Sequence, residues 1–367
     1  MAGDVRKKMV LLTGPRQVGK TYLAKALMQE FQHPQYLNYD AHEDARIIQQ
    51  QSWIPQVDLL VFDEIHTLPD WKRFLKGVYD TRQAQQAILV TGSARLDTFR
   101  QTGTSLAGRY YHFRLHPLSV RELSDQLSAE QALAMLNRLG GFPEPFLSGS
   151  EQEATRWRNQ YYTDLIREDI LEFGRVHELR AMRLLLDMLR QRVGAPLSYA
   201  SLARDLQLSP HTVKRYVEML EALHIVFLVR PWHRNIARAV LKEAKLYFYD
   251  TGLVQGDDGL KLENTIATHL LKHVHFLQDV RGESLGLHYL RDKEGHEVDF
   301  GLVRDDQLSH LIEVKLSDAT PVANLKYFAA RHPSTQAVQL VQHLRQEQQA
   351  GPLQILSASR WLAELAA

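Results

Sequence analysis

A short apolar run followed at once by a glycine-rich loop constrains this chain more than any other feature. Residues 9–12 read MVLL, and residues 14–21 read GPRQVGKT, which fits the pattern G-x-x-x-x-G-K-[ST]. A continuous apolar run is typical of a buried parallel strand, and residues 22–27 continue with apolar positions at helical spacing. The order of strand, loop and helix therefore predicts a phosphate-binding P-loop in an α/β fold.

The residue types in this loop suit phosphate binding. Gly14 and Gly19 let the backbone wrap around an anion, and the N–H groups of the loop point at phosphate oxygens. Lys20 is expected to reach the β- and γ-phosphates, and the Thr21 hydroxyl to ligate Mg²⁺. The predicted cofactors are ATP and Mg²⁺. The predicted nucleotide-binding residues are Gly14, Pro15, Arg16, Gln17, Val18, Gly19, Lys20, Thr21 and Tyr22.

A second apolar strand ends in two acids. Residues 59–62 read LLVF and are followed by Asp63 and Glu64. Adjacent carboxylates at the end of a buried strand are costly unless they serve a cation or a proton. Asp63 is predicted to hold the Mg²⁺ shell and Glu64 to polarise the attacking water. The alternative is that both acids only cap the next turn.

A third strand, at residues 87–90, precedes Thr91, Gly92 and Ser93. A polar side chain at this strand end could sense the γ-phosphate and orient the water. Ser93 is the first candidate and Thr91 the second. A helix N-cap explains either residue equally well.

An arginine precedes the next strand-like segment, residues 110–115. Arg109 in this place could reach the nucleotide of a neighbouring subunit and stabilise charge in the transition state. Arg95 and Arg114 compete for the role, and an ordinary surface or structural arginine is the simpler interpretation.

Several motifs together resemble a known family. They are GPRQVGKT, LLVFDEIH, TGSARL, GRYYHFRLHPLSVREL and GGFPEPF. These segments are similar to the AAA-type ATPases of bacteria and archaea that carry a C-terminal nuclease-like domain. The resemblance implies a five-stranded parallel core, ATP hydrolysis and homo-oligomers. It also implies that the helical segment 123–192 is an AAA-type lid, with Arg156, Arg158 or Arg167 as its nucleotide contact.

Residues 193–240 predict a winged helix-turn-helix. Ser198 is a suitable N-cap for one helix, and Ser209 with Pro210 begins a second. A strand and a basic segment follow, so the second helix could enter a major groove of DNA. Such modules also mediate protein contacts alone. The predicted phosphate contacts are Lys214, Arg215, Arg230, Arg234 and Arg238.

Residues 241–367 predict a smaller α/β domain with charged residues on one face of a sheet. In EVDFGLV and LIEVKLS, strand alternation places Asp299, Glu313 and Lys315 on the side opposite the apolar residues. Glu263, on a helix expected at about 261–273, could join them. Three acids and a lysine suit a Mg²⁺ site for phosphodiester cleavage, and the arrangement resembles the PD-(D/E)xK restriction-endonuclease-like fold. The alternatives are a solvated charged face and a site that no longer cuts.

Composition limits the remaining classes. The chain has no cysteine, which excludes disulfides, thiolate catalysis and cysteine-ligated zinc. The net charge of +1 argues against a uniformly basic surface but not against a local basic face. No apolar run approaches the ~20 residues that span a bilayer, so no membrane contact and a cytoplasmic location are expected. The predicted domains are 1–122 (ATPase core), 123–192 (lid), 193–240 (winged helix) and 241–367 (nuclease-like).

The sequence therefore favours a Mg²⁺-dependent ATPase that acts on DNA as a homo-oligomer. Two other hypotheses stay open. One is a nucleotide-dependent signalling switch that acts through protein contacts. The other is a DNA-binding regulator whose nuclease-like domain is inert.

Overall fold

The computed structural model describes residues 1–92, 106–172, 178–232 and 243–367, without the side chains of 168–172 and 178. These residues form two compact units. One consists of Met1–His116 with Ala222–His224, and the other of Pro117–Glu221 with Ile225–Ala367.

The first unit is built around a parallel sheet. Among the described residues this sheet has five strands, in the order β2-β3-β4-β1-β5, and every neighbouring pair is parallel. The strands are β1 (Met9–Thr13), β2 (Pro34–Asn38), β3 (Leu59–Asp63), β4 (Ala87–Thr91) and β5 (Tyr110–Arg114). The helices are α1 (Ala2–Val5), α2 (Lys20–Met28), α3 (His42–Gln50) and α4 (Trp71–Thr81). The predicted α/β class with a parallel core is confirmed.

The apolar runs in these strands have a direct physical cause. Alternate residues of β1 enter two different hydrophobic clusters, Met9 and Leu11 in one and Val10 and Leu12 in the other. Side chains of a strand point alternately to opposite faces, so both faces of the sheet are covered. A strand that is buried on both faces must be apolar throughout. The carboxyl ends of β1, β3 and β4 then meet at one edge, where the P-loop begins.

The second unit begins with helices. The helices from residue 129 onward are α5 (Ala129–Leu139), α6 (Pro143–Ser148), α7 (Glu151–Glu172), α8 (Glu178–Arg190), α9 (Tyr199–Leu206), α10 (Pro210–Ala222), α11 (Asp258–Arg281), α12 (Ala323–Arg331) and α13 (Ala358–Ala363). Ser198 and Ser209 cap α9 and α10, as the sequence predicts, and only residues 207–209 separate these two helices.

A mixed sheet follows the helix pair. In the part of the chain that the structure describes, it has eight strands in the order β12-β13-β11-β10-β9-β8-β6-β7. The strands are β6 (Val226–Pro231), β7 (Lys245–Phe248), β8 (Leu285–Arg291), β9 (Glu297–Arg304), β10 (Gln307–Lys315), β11 (Gln336–Val341), β12 (Gln348–Ala350) and β13 (Leu353–Ser357). Strands β6 and β7 pair antiparallel, and β6 also joins β8. The strand that directly follows the helix pair, β6, therefore belongs to the same sheet as the C-terminal strands.

Helix α11 is longer than the segment 261–273 that the sequence predicts. It is capped by the Asp257 side chain, which accepts a hydrogen bond from Leu260 N at 2.9 Å, and it ends at Gly282 with φ +68°. Its buried positions continue to Leu277, so packing extends the helix past the predicted end. No helix within the described ranges is both long and apolar enough to cross a membrane.

Candidate functional sites

The P-loop joins β1 to α2 and depends on its two glycines. Gly14 has φ +148° and Gly19 has φ +106°, both in the region that favours glycine. A Cβ on Gly14 would lie 2.3 Å from the Leu115 carbonyl oxygen, whereas one on Gly19 meets nothing within 4 Å. Gly14 is thus required by close packing and by its backbone angle, and Gly19 by its backbone angle alone.

Lys20 is the buried cation of this loop. Its side chain is 7% exposed, and its ammonium donates to the carbonyl oxygens of Gly14 at 3.1 Å and Pro15 at 2.6 Å. Burial lowers the pKa of Lys20 to about 8, although the carboxylates of Glu64 and Asp63 oppose this effect. The ammonium is therefore held inside the loop, where a phosphate group would offer it stronger acceptors.

Asp63 receives hydrogen bonds from three hydroxyl groups. Thr21 Oγ1 donates to Asp63 Oδ2 at 3.0 Å, the Tyr36 hydroxyl donates to the same oxygen, and Thr91 Oγ1 donates to Oδ1. Thr91 therefore orients Asp63, and Ser93, the first candidate for the γ-phosphate sensor, lies outside the described residues. Thr21 and Asp63 are oxygen donors of the type that Mg²⁺ prefers, and their 3.0 Å contact fits a shared cation shell.

Glu64 begins a short turn with a positive φ of +53°. Its N–H donates to Thr91 O at 3.2 Å, which fixes it beside the end of β4. Its Oε2 lies 3.2 Å from His66 Nδ1. Burial raises the pKa of Glu64, and the nearby Asp63 carboxylate raises it further. A carboxyl group with a raised pKa is suited to accept a proton from an attacking water.

Arg109 lies at the amino end of β5, in register near Met9. The P-loop starts at the carboxyl end of β1, so about five residues, or roughly 16 Å of strand, separate the two. Arg109 forms a two-pronged ion pair with Asp80, with distances of 2.8 Å and 3.0 Å. It therefore does not face the P-loop of its own chain. Arg95 lies outside the described residues.

The four residues predicted for the C-terminal site lie together in the second unit. The register that pairs Ile312 with Phe300 places Asp299 opposite Glu313 on the neighbouring strand. Asp299 Oδ2 accepts a hydrogen bond from Val314 N at 2.9 Å, and Lys315 Nζ lies 2.7 Å from Glu313 Oε1. The other oxygen of Glu313, Oε2, is buried without a hydrogen-bond partner.

Glu263 reaches the same place from α11. Its Oε1 accepts a hydrogen bond from the Tyr247 hydroxyl at 2.7 Å. The next residue, Asn264, bonds to both the N–H and the C=O of Phe248, at 2.8 Å and 3.0 Å. This backbone clamp fixes α11 to β7 and so determines where Glu263 points.

Two charged residues of this cluster were missed by the sequence predictions. Lys245, at the start of β7, is 1% exposed, and its Nζ lies 2.7 Å from Glu297 Oε1. It also lies 3.9 Å from both Glu263 Oε1 and Asp299 Oδ1. Two signals in the sequence could have identified these residues. Alternation along β9 places Glu297 on the same face as Asp299, and Lys245 is a charged residue at the start of the otherwise apolar strand KLYF.

The carboxylates of the cluster have raised pKa values. Burial raises the pKa of Glu263 to about 8 and that of Glu313 to about 7, and the Asp299 carboxylate adds to both effects. Burial also raises the pKa of Asp299 itself. Burial alone would lower the pKa of Lys245, but the surrounding carboxylates outweigh it and leave this pKa above its ordinary value. The acids outnumber their cations, and a divalent ion would fit this excess of negative charge.

The predicted DNA contacts are only partly described. Lys214 is exposed on α10, 3.8 Å from Glu218, and Arg230 is exposed on β6. Arg215 is half-buried, with its guanidinium 5.7 Å from the centre of the Tyr216 ring. Arg234 and Arg238 lie outside the described residues.

The three arginines that were predicted as nucleotide contacts from a lid differ in their surroundings. Arg156 and Arg167 are exposed on α7, whereas Arg158 is buried and paired with Asp250, with Nε 2.6 Å from Oδ2. Arg158 also donates to the Leu139 carbonyl. This arginine thus joins α7, the end of α5 and the turn after β7, all within the second unit.

Three family models match the chain. Residues 6–124 match an AAA domain, residues 130–262 a domain of unknown function (DUF8612), and residues 258–360 another domain of unknown function (DUF4143). With the parallel sheet and the P-loop already described, the first match makes residues 6–124 an AAA-type P-loop domain.

Three similar curated proteins are described as uncharacterized proteins. Proteins of Mycobacterium tuberculosis and Mycobacterium bovis are each 30% identical over 263 residues, which is 70% of this chain and 58% of theirs. The match thus spans little more than half the length of these mycobacterial relatives. A Haemophilus influenzae protein is 22% identical, over 82% of this chain and 81% of its own.

Solved structures show weaker similarity. Two variants of RuvB from Thermotoga maritima align with TM-scores of 0.29 and 0.28, at 17% and 18% identity. Each alignment covers 60% of this chain and 81% of the other. These scores are too low to support any inference about function or assembly.

Proposed function

We propose that this protein is a Mg²⁺-dependent ATPase that acts on DNA, with ATP hydrolysis driving or gating a homo-oligomer on the DNA. The observation that carries the ATPase part is the hydrogen bond from Thr21 to Asp63. It joins the P-loop helix to the acidic end of β3, immediately before Glu64. The match of residues 6–124 to an AAA domain supports the same assignment.

The side chains have separate roles in the proposed reaction. Lys20 exchanges the carbonyl oxygens of Gly14 and Pro15 for β- and γ-phosphate oxygens. Thr21 and Asp63 would hold Mg²⁺, which would supply positive charge beside the phosphates. Glu64 polarises the attacking water, as its raised pKa allows. Ser93 orients that water, and Arg109 reaches the nucleotide of an adjacent subunit.

The DNA part of the proposal rests on the helix pair α9 and α10. His211 and Lys214 lie exposed on the second helix, and Arg230 lies exposed on β6. These features support a winged helix-turn-helix, whose second helix would enter the major groove while basic residues would contact phosphates. Arg215, Arg234 and Arg238 complete the proposed contact set.

The steady-state rate of phosphate release tests this proposal. The purified protein is assayed with ATP and Mg²⁺ at low salt, alone and with single-stranded, duplex or four-way-branched DNA. Stimulation by one form of DNA, reduced in a Lys214→Ala variant, is expected. Clear basal turnover that no DNA form changes would instead favour a signalling switch that acts through protein contacts.

A second proposed activity is metal-dependent cleavage of DNA by a PD-(D/E)xK-like site. The unpartnered, buried Glu313 Oε2 beside Lys315 favours it, because a carboxylate oxygen in this position lacks only a cation. Asp299 and Glu313 would hold the metal, with Glu263 beside them on α11, and Lys315 would position the attacking water. Nicking of plasmid DNA with Mn²⁺ that is lost in Asp299→Asn is the expected result. DNA binding without nicking would favour a regulator with an inert domain.

A further inference from the structure

Lys245 lies among three carboxylates that come from two other elements of the fold. Glu263 belongs to α11, whereas Glu297 and Asp299 belong to β9, and Lys245 itself begins β7. The ammonium lies 2.7–3.9 Å from an oxygen of each acid and 5.3 Å from the centre of the Tyr289 ring. An ammonium that is 1% exposed is costly to bury unless its partners compensate it. Lys245 is therefore built into the cluster.

The cluster has two sides that differ in how their charges are balanced. On one side, Lys245 faces Glu263, Glu297 and Asp299 Oδ1. On the other, Glu313 Oε2 has no hydrogen-bond partner although the residue is only 6% exposed. The side without a fixed cation is thus the side where a bound ion is needed.

The carboxylates also do not converge on one point. Within the described ranges, the only three potential ligand residues with atoms within 4.8 Å of one another are Asp292, Glu294 and His296, which lie in the turn between β8 and β9. Glu263 is turned toward Tyr247 and Lys245. Glu263 therefore does not form a compact three-carboxylate group with Asp299 and Glu313.

The charge balance of the cluster also favours a single bound divalent cation. When all four acids are ionised, two lysines face four carboxylates, which leaves two negative charges in the cluster. The acids are Glu263, Glu297, Asp299 and Glu313, and the cations are Lys245 and Lys315. One divalent cation neutralises this excess, whereas Arg291, which contacts Glu297 at 3.2 Å, is a partly exposed residue outside the buried cluster. With Lys245 in place, a second divalent cation would give the buried cluster two positive charges. Without Lys245 the same two ions would leave only one, which is less unfavourable at low dielectric.

We propose that Lys245 is a fixed cation that positions Glu263 and Glu297, so that the cluster binds a single divalent cation at Asp299 and Glu313. Lys245 occupies the side of the cluster where a second metal ion would otherwise bind. The inference rests on the proposed metal site. It adds a residue, Lys245, that limits the site to one metal ion. The site would therefore not use the two-metal mechanism of phosphodiester cleavage.

The experiment counts Mn²⁺ ions on the nucleotide-free full-length chain, by electron paramagnetic resonance of free Mn²⁺ during a titration. Each protein is compared with the same protein carrying Asp299→Asn. Subtracting the two ion counts leaves out ions that bind elsewhere, including any in the turn that contains Asp292. The expected difference is one ion for the unaltered protein and for Lys245→Arg, and two ions for Lys245→Met. The second ion should disappear when Glu263→Gln is added.

The outcomes separate the two proposals. A difference of zero in the unaltered protein overturns the metal site and, with it, the role of Lys245. A difference of one that stays at one in a folded Lys245→Met protein overturns only the role of Lys245. If circular dichroism shows that Lys245→Met is unfolded, the unaltered protein still decides, because two ions there contradict the inference and one ion supports it.

Discussion

The Thr21 hydroxyl donates a hydrogen bond to Asp63 Oδ2 at 3.0 Å, which links the first turn of α2 to the last residue of β3. Both side chains are oxygen donors, so the ligands for a cation are assembled at the edge of the parallel sheet. Tyr36 and Thr91 donate to the same carboxylate and restrict its rotation. The P-loop and the acidic strand end thus form one preorganised site.

Lys20→Ala is expected to weaken ATP binding by more than about tenfold, because an ionic contact to phosphate is worth at least about 1.4 kcal/mol. Titration with a fluorescent ATP analogue measures the change. Lys7→Ala is the matched control, since the Lys7 side chain is 69% exposed and its ammonium lies 3.9 Å from the Asp4 carboxylate. If Lys20→Ala and Lys7→Ala bind the ATP analogue with equal affinity, Lys20 does not contact the phosphates.

Glu64→Gln is expected to bind ATP normally and to hydrolyse it about 100-fold more slowly or worse, because an amide cannot accept the proton of the water. Parallel binding and phosphate-release assays separate the two effects. Glu30→Gln, an exposed site on the same unit, should leave both values unchanged. Turnover of Glu64→Gln at the rate of the unaltered protein would exclude Glu64 as the base.

Gly14→Ala should destabilise the protein by about 1–3 kcal/mol and impair nucleotide binding, since the new Cβ meets the Leu115 carbonyl oxygen at 2.3 Å with φ at +148°. Urea denaturation measures the free energy of unfolding. Gly3→Ala is the control, because a Cβ at Gly3 meets nothing within 4 Å. If the two variants unfold at the same urea concentration, the result contradicts the close contact between Gly14 and the Leu115 carbonyl oxygen.

Arg158→Met should lower the free energy of unfolding by about 3–5 kcal/mol, because it leaves the fully buried Asp250 without its cation. Arg156→Met, two residues away and exposed, should change it by less than about 0.5 kcal/mol. Urea denaturation of both variants is the measurement. A mild effect of Arg158→Met, similar to that of Arg156→Met, would contradict the buried ion pair.

Without divalent cations, the protein should become less stable as the pH rises from about 6 to about 8. The folded pKa values of Glu263, about 8, and Glu313, about 7, lie above the ordinary 4.5, so between the ordinary and the folded pKa each group binds more protons in the folded state than in the unfolded state. The stability that each group contributes is complete below its ordinary pKa and is lost as the pH rises through its folded pKa, by at most about 1.4 kcal/mol per pH unit for each group.

Urea denaturation in EDTA at several pH values measures this slope. Glu263→Gln should make it shallower, because the amide does not titrate, whereas the exposed Glu144→Gln should leave it unchanged. A slope that Glu263→Gln does not alter would mean that Glu263 is charged throughout the range.

The sequence predicts the first unit well because its signals are local. The P-loop pattern, the strand that precedes it and the acids after β3 each occupy fewer than ten consecutive residues. Their convergence follows from a general property of parallel sheets, whose strand ends meet at one edge. The Asp80 partner of Arg109 comes from α4 and has no such local pattern.

The acidic cluster is predicted only in part. Alternation in β9 and β10 identifies Asp299 and Glu313, because strand periodicity is visible in a few residues. Lys245 escapes prediction because its neighbours are set by long-range pairing, in which β6 joins β8 and so attaches β7 to the sheet. The same pairing places strands on both sides of the predicted boundary at residue 240 in one sheet.

The most direct test of the central claim is phosphate release from ATP as a function of Mg²⁺, for the unaltered protein and for Asp63→Ala. We expect turnover that rises with Mg²⁺, stops in EDTA and is absent from Asp63→Ala at every Mg²⁺ concentration. Turnover by Asp63→Ala equal to that of the unaltered protein would contradict a nucleotide site in which Thr21 and Asp63 hold the cation.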